Sequence, residues 1–248
     1  MRMPPAREPP PQPLPRNAGE ESSAERRTVG TVEELLAHPG LARGRGAGTP
    51  ATTPVRASGF AQLDRSLGGG WPRGQLTELI GAPFGCGETR MLLPMLTACS
   101  REGRAVMLVA PPATPWIPGW RQLGVDPELV FVIRPNTEED AIWSCEQVLH
   151  HPGIGALLAW LHGNRSTPLR RLRLAAGASD ACAFLYRPPT AEHQPSPAHL
   201  RVRWQAAGGR LHLKVIKLTG GRIPGDRPVT IPRDAPDLWS AAGRNPGP

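Results

Sequence analysis

The sequence contains almost no lysine. Of its 29 basic residues only Lys214 and Lys217 are lysines, and both lie close to the C-terminal end. Proteins that bind nucleoside triphosphates through a glycine-rich loop place a lysine in that loop, where it neutralises phosphate charge. No lysine near any glycine-rich segment in the first half of this chain is available for that role.

Three further absences exclude whole classes of protein. No apolar run approaches the roughly 20 residues that a bilayer-spanning helix needs, and residues 1–30 lack the apolar centre of a signal peptide. The four cysteines form no CxxC pair and do not combine with the seven histidines at metal-ligand spacing. The sequence therefore predicts a cytoplasmic protein with no membrane contact, no disulfide framework and no metal site.

The stretch Leu76–Thr89, L-T-E-L-I-G-A-P-F-G-C-G-E-T, has the order strand, glycine loop, helix. An apolar run leads into a loop that contains Gly81, Gly85 and Gly87, and a helical apolar pattern begins at Met91. This order is typical of a loop that cradles phosphate through its backbone N–H groups. The stretch is therefore the candidate nucleotide-binding site of the chain.

The loop departs from a working phosphate loop at its decisive position. A working loop has four residues between its two outer glycines and continues with Lys and then Ser or Thr. Here five residues separate Gly81 from Gly87, and the next residues are Glu88 and Thr89. A carboxylate repels a triphosphate by on the order of several kcal/mol where solvent screening is poor. We interpret the loop as the remnant of a nucleotide site.

Positive charge is concentrated in the C-terminal half. Between Gly163 and Arg222 the chain has eleven basic residues and two acidic ones, so this segment alone accounts for the whole net charge of +8. Because proteins usually intersperse the two signs, the segment predicts a surface for DNA or an acidic partner, and a solvated helix face is the alternative. The candidate contact residues are Arg165, Arg170, Arg171, Arg173, Arg187, Arg201, Arg203, Lys214 and Lys217.

Composition divides the chain into five segments. Residues 1–30 are rich in Pro, Glu and Arg and are predicted to be a disordered tail. Residues 31–44 begin with a capping threonine and form a docking helix, which either covers the core or inserts into a neighbouring protein. A linker at 45–56 leads to the core domain, 57–232, and a frayed tail at 233–248 follows.

Apolar runs alternate with amphipathic helical patterns through the core domain. Strands are expected at 105–110, 129–133, 156–161, 181–186, 200–204 and 211–218, and helices at 138–150 and 166–178. The last two strands flank Gly208-Gly209 and predict a hairpin. The predicted fold class is α/β, with a mostly parallel central sheet flanked by helices and an antiparallel β-hairpin at the C-terminal edge.

Residues 57–81 carry a recognisable pattern. They read A-S-G-F-A-Q-L-D-R-S-L-G-G-G-W-P-R-G-Q-L-T-E-L-I-G, which resembles the start of the RecA-type recombinase core. In detail this segment is similar to the ImuA family, which consists of RecA-like proteins associated with bacterial translesion synthesis. The similarity covers roughly residues 30–232. The resemblance implies a RecA-like core and, under SOS control, partnership with ImuB, with an error-prone C-family DNA polymerase and with RecA.

The resemblance also implies that ATP hydrolysis has been lost. A RecA-type ATPase needs a lysine, a glutamate, an aspartate and a glutamine. These align with Glu88, Pro111–Thr114, Trp160 and the Arg187 region, so all four are missing. Phosphoryl transfer then lacks charge neutralisation, water activation and a Mg²⁺ anchor. We expect no ATPase activity and no nucleotide cofactor.

The resemblance also covers positions that, in RecA-type proteins, contact DNA and neighbouring subunits. Lys217 matches one of two basic residues that reach the nucleotide of the next subunit, but Thr219 stands at the second position. The DNA-binding loops align with 162–174 and with the short segment 188–199. Trp116 and Trp120 are expected to form an exposed pair that anchors a protein partner.

Two functions are compatible with these residues. The first is a non-catalytic RecA-like adaptor in SOS-induced translesion DNA synthesis, a mutasome component that takes part in the DNA damage response and in mutagenesis and is nucleoid-associated when engaged. The alternative is a weak ATP-binding recombination mediator that modulates RecA. Binding of a fluorescent nucleotide with Mg²⁺ distinguishes them, because micromolar affinity favours the second.

Overall fold

The computed structural model describes residues 53–82, 84–85, 87–163, 166–221 and 228–232. All of them belong to the unit Thr49–Pro248. The predicted tail 1–30, the docking helix 31–44, most of the linker 45–56 and the C-terminal tail 233–248 lie outside the described residues.

An eight-stranded sheet forms the centre of this unit, and its strand order is β10-β9-β8-β3-β7-β6-β4-β5. Its strands are β3 (Gln75–Ile80), β4 (Ala105–Val109), β5 (Val130–Ile133), β6 (Ile154–Trp160), β7 (Cys182–Arg187), β8 (Leu200–Ala207), β9 (Arg210–Leu218) and β10 (Val229–Pro232). The run from β8 to β5 is parallel, whereas β8, β9 and β10 pair antiparallel. A short ribbon of β1 (Val55–Arg56) and β2 (Trp71–Pro72) lies apart from the sheet. The predicted α/β class, with its C-terminal hairpin, is confirmed.

Helices cover both faces of the parallel strands, as the crossovers of parallel strands require. The helices are α1 (Ala61–Leu67), α2 (Leu93–Arg101), α3 (Ile117–Gln122), α4 (Glu138–His150) and α5 (Ser166–Gly177). Side chains of α1 and α2 pack into one apolar core, and those of α4 and α5 pack into a second core on the opposite face. No helix of the described residues is long and apolar enough to cross a membrane.

Local sequence explains where helix α4 begins. The Thr137 hydroxyl accepts the N–H of Asp140 at 3.1 Å and so caps α4. Three carboxylates in the first turn favour the same start, because they face the positive end of the helix dipole. The apolar residues of α4 then fall on one side, where they meet the sheet.

The parallel strands bring their carboxyl ends to one edge of the sheet. Ile80 of β3 pairs with Arg187 of β7, and Trp160 of β6 pairs with Tyr186. In open α/β sheets, ligands bind at this edge. The loop after β3 and the residues that end β6 and β7 therefore define the candidate site.

Candidate functional site

Two glycines in the loop after β3 adopt conformations that other residues rarely adopt. Gly85 and Gly87 have φ values of +83° and +94°, in the left-handed region that glycine adopts without strain. A short 3-10 helix, Glu88–Met91, follows and leads into α2. The predicted order of strand, loop and helix is thus present, with a 3-10 turn ahead of the α-helix.

The Glu88 side chain folds back onto this loop. The backbone N–H of Gly85 donates to both of its carboxylate oxygens, at 3.1 and 3.0 Å. Glu88 is only 5% exposed. A phosphate-binding loop offers such backbone N–H groups to phosphate oxygens. In this chain a carboxylate of the protein itself takes a donor of that kind.

Aromatic side chains fill the strand ends beside the loop. The Phe84 ring lies against Tyr186 and Trp204, with centroid distances of 6.1 and 6.3 Å. Trp160 stacks on Tyr186 at 4.8 Å with an interplanar angle of 10°. A Cβ atom on Gly81 would lie 2.5 Å from the Trp204 ring, so the backbone itself touches this cluster. We call Phe84, Trp160, Tyr186 and Trp204 the aromatic cluster.

Tyr186 is the polar group at the centre of the aromatic cluster. It is fully buried, and its hydroxyl has no hydrogen-bond partner among the described residues. Burial and the nearby negative charge of Glu88 raise the pKa of Tyr186, while the Thr89 hydroxyl acts in the opposite direction. The phenol therefore stays neutral, and it cannot serve as a general base at physiological pH.

Two other positions aligned with ATPase residues lack the carboxylate that the family has there. The segment Pro111–Thr114 follows β4, and there the Thr114 hydroxyl accepts a hydrogen bond from Arg134 at 3.1 Å. Trp160 is 5% exposed and belongs to the aromatic cluster. Neither side chain supplies the carboxylate that would activate water or hold the water of a metal ion at these positions.

A buried ion cluster lies beneath this edge, and sequence reasoning missed it. Glu78 of β3 accepts from Arg187 (Nη1 to Oε1, 3.3 Å) and from Arg201 (Nε to Oε2, 2.6 Å). Arg201 also donates to the backbone carbonyls of Ala191 (2.5 Å) and Glu192 (3.2 Å). The available signal was a glutamate inside an apolar strand, since a buried carboxylate needs cationic partners.

Arg187 and Arg201 are therefore core residues, and their assignment to a DNA or partner surface is wrong. They are 1% and 8% exposed. Burial lowers the pKa of Arg187, and the charge of Glu78 opposes that shift. Arg187 also donates to the Gly163 carbonyl at 2.7 Å, so its guanidinium is committed to internal contacts.

Other predicted basic residues do come together. Arg203 and Lys214 are directly opposite in the β8–β9 hairpin, and Lys217 lies on the same face. Burial lowers the pKa of Lys217, and so do the charges of Arg201 and of Arg173 on α5, while the charge of Glu78 opposes that shift. We call Arg170, Arg173, Arg203, Lys214 and Lys217 the basic surface.

Two predicted residues are not assigned to the basic surface. Arg171 pairs with Glu146 of α4 at 2.5 Å, which joins the two helices. Arg165 lies outside the described residues. Within the surface itself, Arg203 pairs with Glu192 at 3.3 Å, and the Lys217 ammonium donates to the Ser196 carbonyl at 2.7 Å.

Three of the four cysteines are described, and all three are free thiols. Cys99, Cys145 and Cys182 are buried free thiols, and burial raises the pKa of Cys145 to about 12. No group of three or more possible metal ligands occurs among the described residues.

Trp116 is 69% exposed as expected, but Trp120 packs against the core, so the two do not form an exposed pair.

The similarities to known proteins agree with this architecture. No protein family profile matches the chain. It is 26% identical over 140 residues to Protein RecA of Parasynechococcus marenigrum (strain WH8102), which covers 56% of this chain and 37% of that protein. It is 30% identical over 99 residues to Protein RecA of Helicobacter pylori (strain P12), which covers 40% of this chain and 28% of that protein.

These matches span only about a third of the length of the RecA proteins. The observed mostly parallel sheet with flanking helices and an antiparallel hairpin is consistent with an α/β RecA-like core. The described unit is accordingly a mostly parallel α/β core with a RecA-like relationship.

Proposed function

We propose that this chain is a non-catalytic RecA-like adaptor in SOS-induced translesion DNA synthesis. The observation that carries the proposal is the Glu88 carboxylate, which accepts the Gly85 N–H inside the glycine loop. A triphosphate in this loop would have to displace that carboxylate and overcome its negative charge. Binding of ATP is therefore opposed by the loop itself.

Hydrolysis is opposed independently of binding. The strand end at Trp160 and the segment Pro111–Thr114 offer indole, proline and hydroxyl groups where the chemistry needs carboxylates. Catalysis of phosphoryl transfer consists almost entirely of positioning and charge stabilisation. A RecA-like core without those groups acts through the surfaces that it presents.

The resemblance to the ImuA family supplies the proposed setting. In that setting the chain joins ImuB and an error-prone C-family DNA polymerase in a mutasome, and contacts RecA. The similarity to RecA proteins supports a role in DNA repair or recombination. The basic surface supports contact with DNA phosphates near the nucleoid.

The second candidate, a weak ATP-binding mediator that modulates RecA, draws on other features of the loop. Gly85 and Gly87 keep left-handed conformations, and Thr89 keeps a hydroxyl where a magnesium ligand would stand. Titration of the protein with a fluorescent ATP analogue and Mg²⁺ separates the two functions. The adaptor predicts no saturation at micromolar nucleotide, with a RecA protein as the positive control. Micromolar affinity would establish the second candidate.

A reconstitution tests the partners. Purified ImuB, the C-family polymerase and RecA are each mixed with the tagged chain, with and without single-stranded DNA. The adaptor predicts a stable complex with at least one of them that survives nuclease treatment. If none of the three is retained under either condition, the adaptor function is refuted.

A charge-matched pair of variants tests the basic surface. Arg170→Gln with Arg173→Gln removes two exposed cations from α5, whereas Arg65→Gln with Arg121→Gln removes two from α1 and α3 on the opposite side of the sheet. The first pair is expected to weaken single-stranded DNA binding and to reduce the slope of log K against log salt by about 1.4. Equal effects of the two pairs would show that net charge alone matters.

A further inference from the structure

A cleft of about 780 Å³ lies between the start of α4 and the helix α5. Its floor is apolar and consists of Ile142, Leu161 and Leu169, all buried. Trp143 stands at the rim and is 59% exposed. This volume lies within the range of sites that hold a ligand, and an exposed indole over an apolar floor is typical of a recognition site.

The cleft is acidic although the chain is basic. The first turn of α4 lines it with Glu138, Glu139 and Asp140. Of the two arginines in the lining, Arg171 pairs with Glu146 and Arg187 pairs with Glu78, and the charge of Glu138 also acts on Arg187. None of the three carboxylates forms an ion pair with a described residue. Among the described residues, Glu139 and Asp140 therefore offer negative charge without an ion-pair partner beside apolar surface.

The walls of the cleft are held in place from inside. The Glu138 carboxylate accepts the Gly163 N–H at 2.5 Å, and the Gly163 carbonyl accepts from Arg187 at 2.7 Å. A side chain at position 163 would collide with Glu138, so the close approach depends on glycine. Because the site is already formed, a ligand does not have to order it on binding.

We propose that this cleft binds a segment of a partner protein in which an aromatic or aliphatic side chain is flanked by arginine or lysine. The apolar side chain covers the floor, the flanking cations approach Glu139 and Asp140, and a guanidinium can lie over the Trp143 ring. A polyamine would satisfy only the charges. The proposal goes beyond the adaptor function, because it gives the chain a second surface, of opposite charge to the one proposed for DNA.

A random dodecapeptide library displayed on phage tests the proposal. The library is selected on the full-length wild-type protein in 0.1 M salt. Enriched sequences are expected to combine Arg or Lys with Trp, Phe or Leu. Enrichment of acidic sequences, or no enrichment, overturns the proposal.

The affinity of the most enriched peptide is then measured by fluorescence anisotropy. Glu139→Gln with Asp140→Asn should weaken binding about tenfold, which is the upper range for two exposed charge pairs. Trp143→Ala should weaken it by a similar factor. The control, Asp126→Asn with Glu128→Gln, removes the same charge elsewhere and should leave affinity unchanged.

Equal affinity for wild type and both cleft variants places the peptide at another site and also overturns the proposal. All substituted side chains are exposed, so circular dichroism melting should show folded variants. Failure here leaves the nucleotide and partner tests of the adaptor function unaffected, since the first concerns the glycine loop and the second does not depend on which surface a partner contacts.

Discussion

Glu78 and Glu88 lie ten residues apart in the chain, and both are nearly inaccessible to solvent, yet the protein stabilises them in different ways. Glu78 is neutralised by two guanidinium groups, those of Arg187 and Arg201. Glu88 accepts a backbone N–H from Gly85 in a glycine loop. The first arrangement is an internal support of the sheet. The second is a carboxylate bound by a backbone donor of the glycine loop. Burial alone does not distinguish the two, whereas the type of donor does.

The largest expected effect comes from removing Glu78. Glu78→Ala leaves two buried guanidiniums without a counter-charge, which should lower the free energy of unfolding by about 3–5 kcal/mol. Urea denaturation followed by circular dichroism measures the loss. Glu192→Ala removes the carboxylate of the more exposed pair with Arg203 and should cost less than about 1 kcal/mol. Similar losses for the two variants would show that the Glu78 cluster is not an internal support.

A smaller effect is expected at the boundary between the loop and the aromatic cluster. Gly81→Ala places a methyl group 2.5 Å from the Trp204 ring and should lower the free energy of unfolding by about 1–3 kcal/mol. Gly177→Ala, at the end of α5, meets nothing within 4 Å and should leave stability unchanged or slightly higher. Thermal melting of both variants tests whether the Trp204 ring packs directly against Gly81.

Removing Glu88 should cost less stability and change ligand binding. Glu88→Ala removes the acceptor of the Gly85 N–H and should cost about 1 kcal/mol. Because the loop backbone keeps its geometry, inorganic pyrophosphate should then raise the melting temperature of the variant. Wild type should not respond, and Glu88→Gln, which keeps an acceptor oxygen, should respond weakly. An equal response of wild type and Glu88→Ala would show that Glu88 does not occupy an anion position.

The smallest effect is expected for Glu88→Lys, which restores the lysine of a phosphate loop. ATP turnover should stay at the wild-type level, because the strand end at Trp160 and the segment Pro111–Thr114 still lack carboxylates. Phosphate release in the presence of Mg²⁺ measures turnover. Clear hydrolysis by this single variant would refute the view that the site lacks the groups for catalysis.

The fold could be predicted because its signals are local. Apolar runs such as 156–161 and the alternating pattern of 211–218 correspond to β6 and β9 almost residue for residue. The glycine loop was recognisable for the same reason, since the spacing of Gly81, Gly85 and Gly87 lies within a few residues. Helix starts such as that of α4 also follow from adjacent capping residues.

The parts of the site that sequence reasoning missed depend on contacts between distant residues. Glu78 contacts Arg187 and Arg201, which are 109 and 123 residues away in the sequence. The sequence alone therefore did not distinguish these arginines from surface residues, because the contacts depend on how the strands pair. Trp160 and Tyr186 stack only because β6 and β7 are neighbours in this register. The acidic cleft was hidden because its carboxylates also serve as ordinary first-turn residues of a helix.

Gly163 links the two oppositely charged surfaces. Its N–H is held by Glu138 and its carbonyl by Arg187, which in turn binds Glu78 and through it Arg201, next to the hairpin. An uninterrupted series of polar contacts thus runs through the interior from the mouth of the cleft to the base of β8. Removal of the Glu138 carboxylate or of the Gly163 contact would therefore also weaken the contacts that position Arg187, the partner of Glu78.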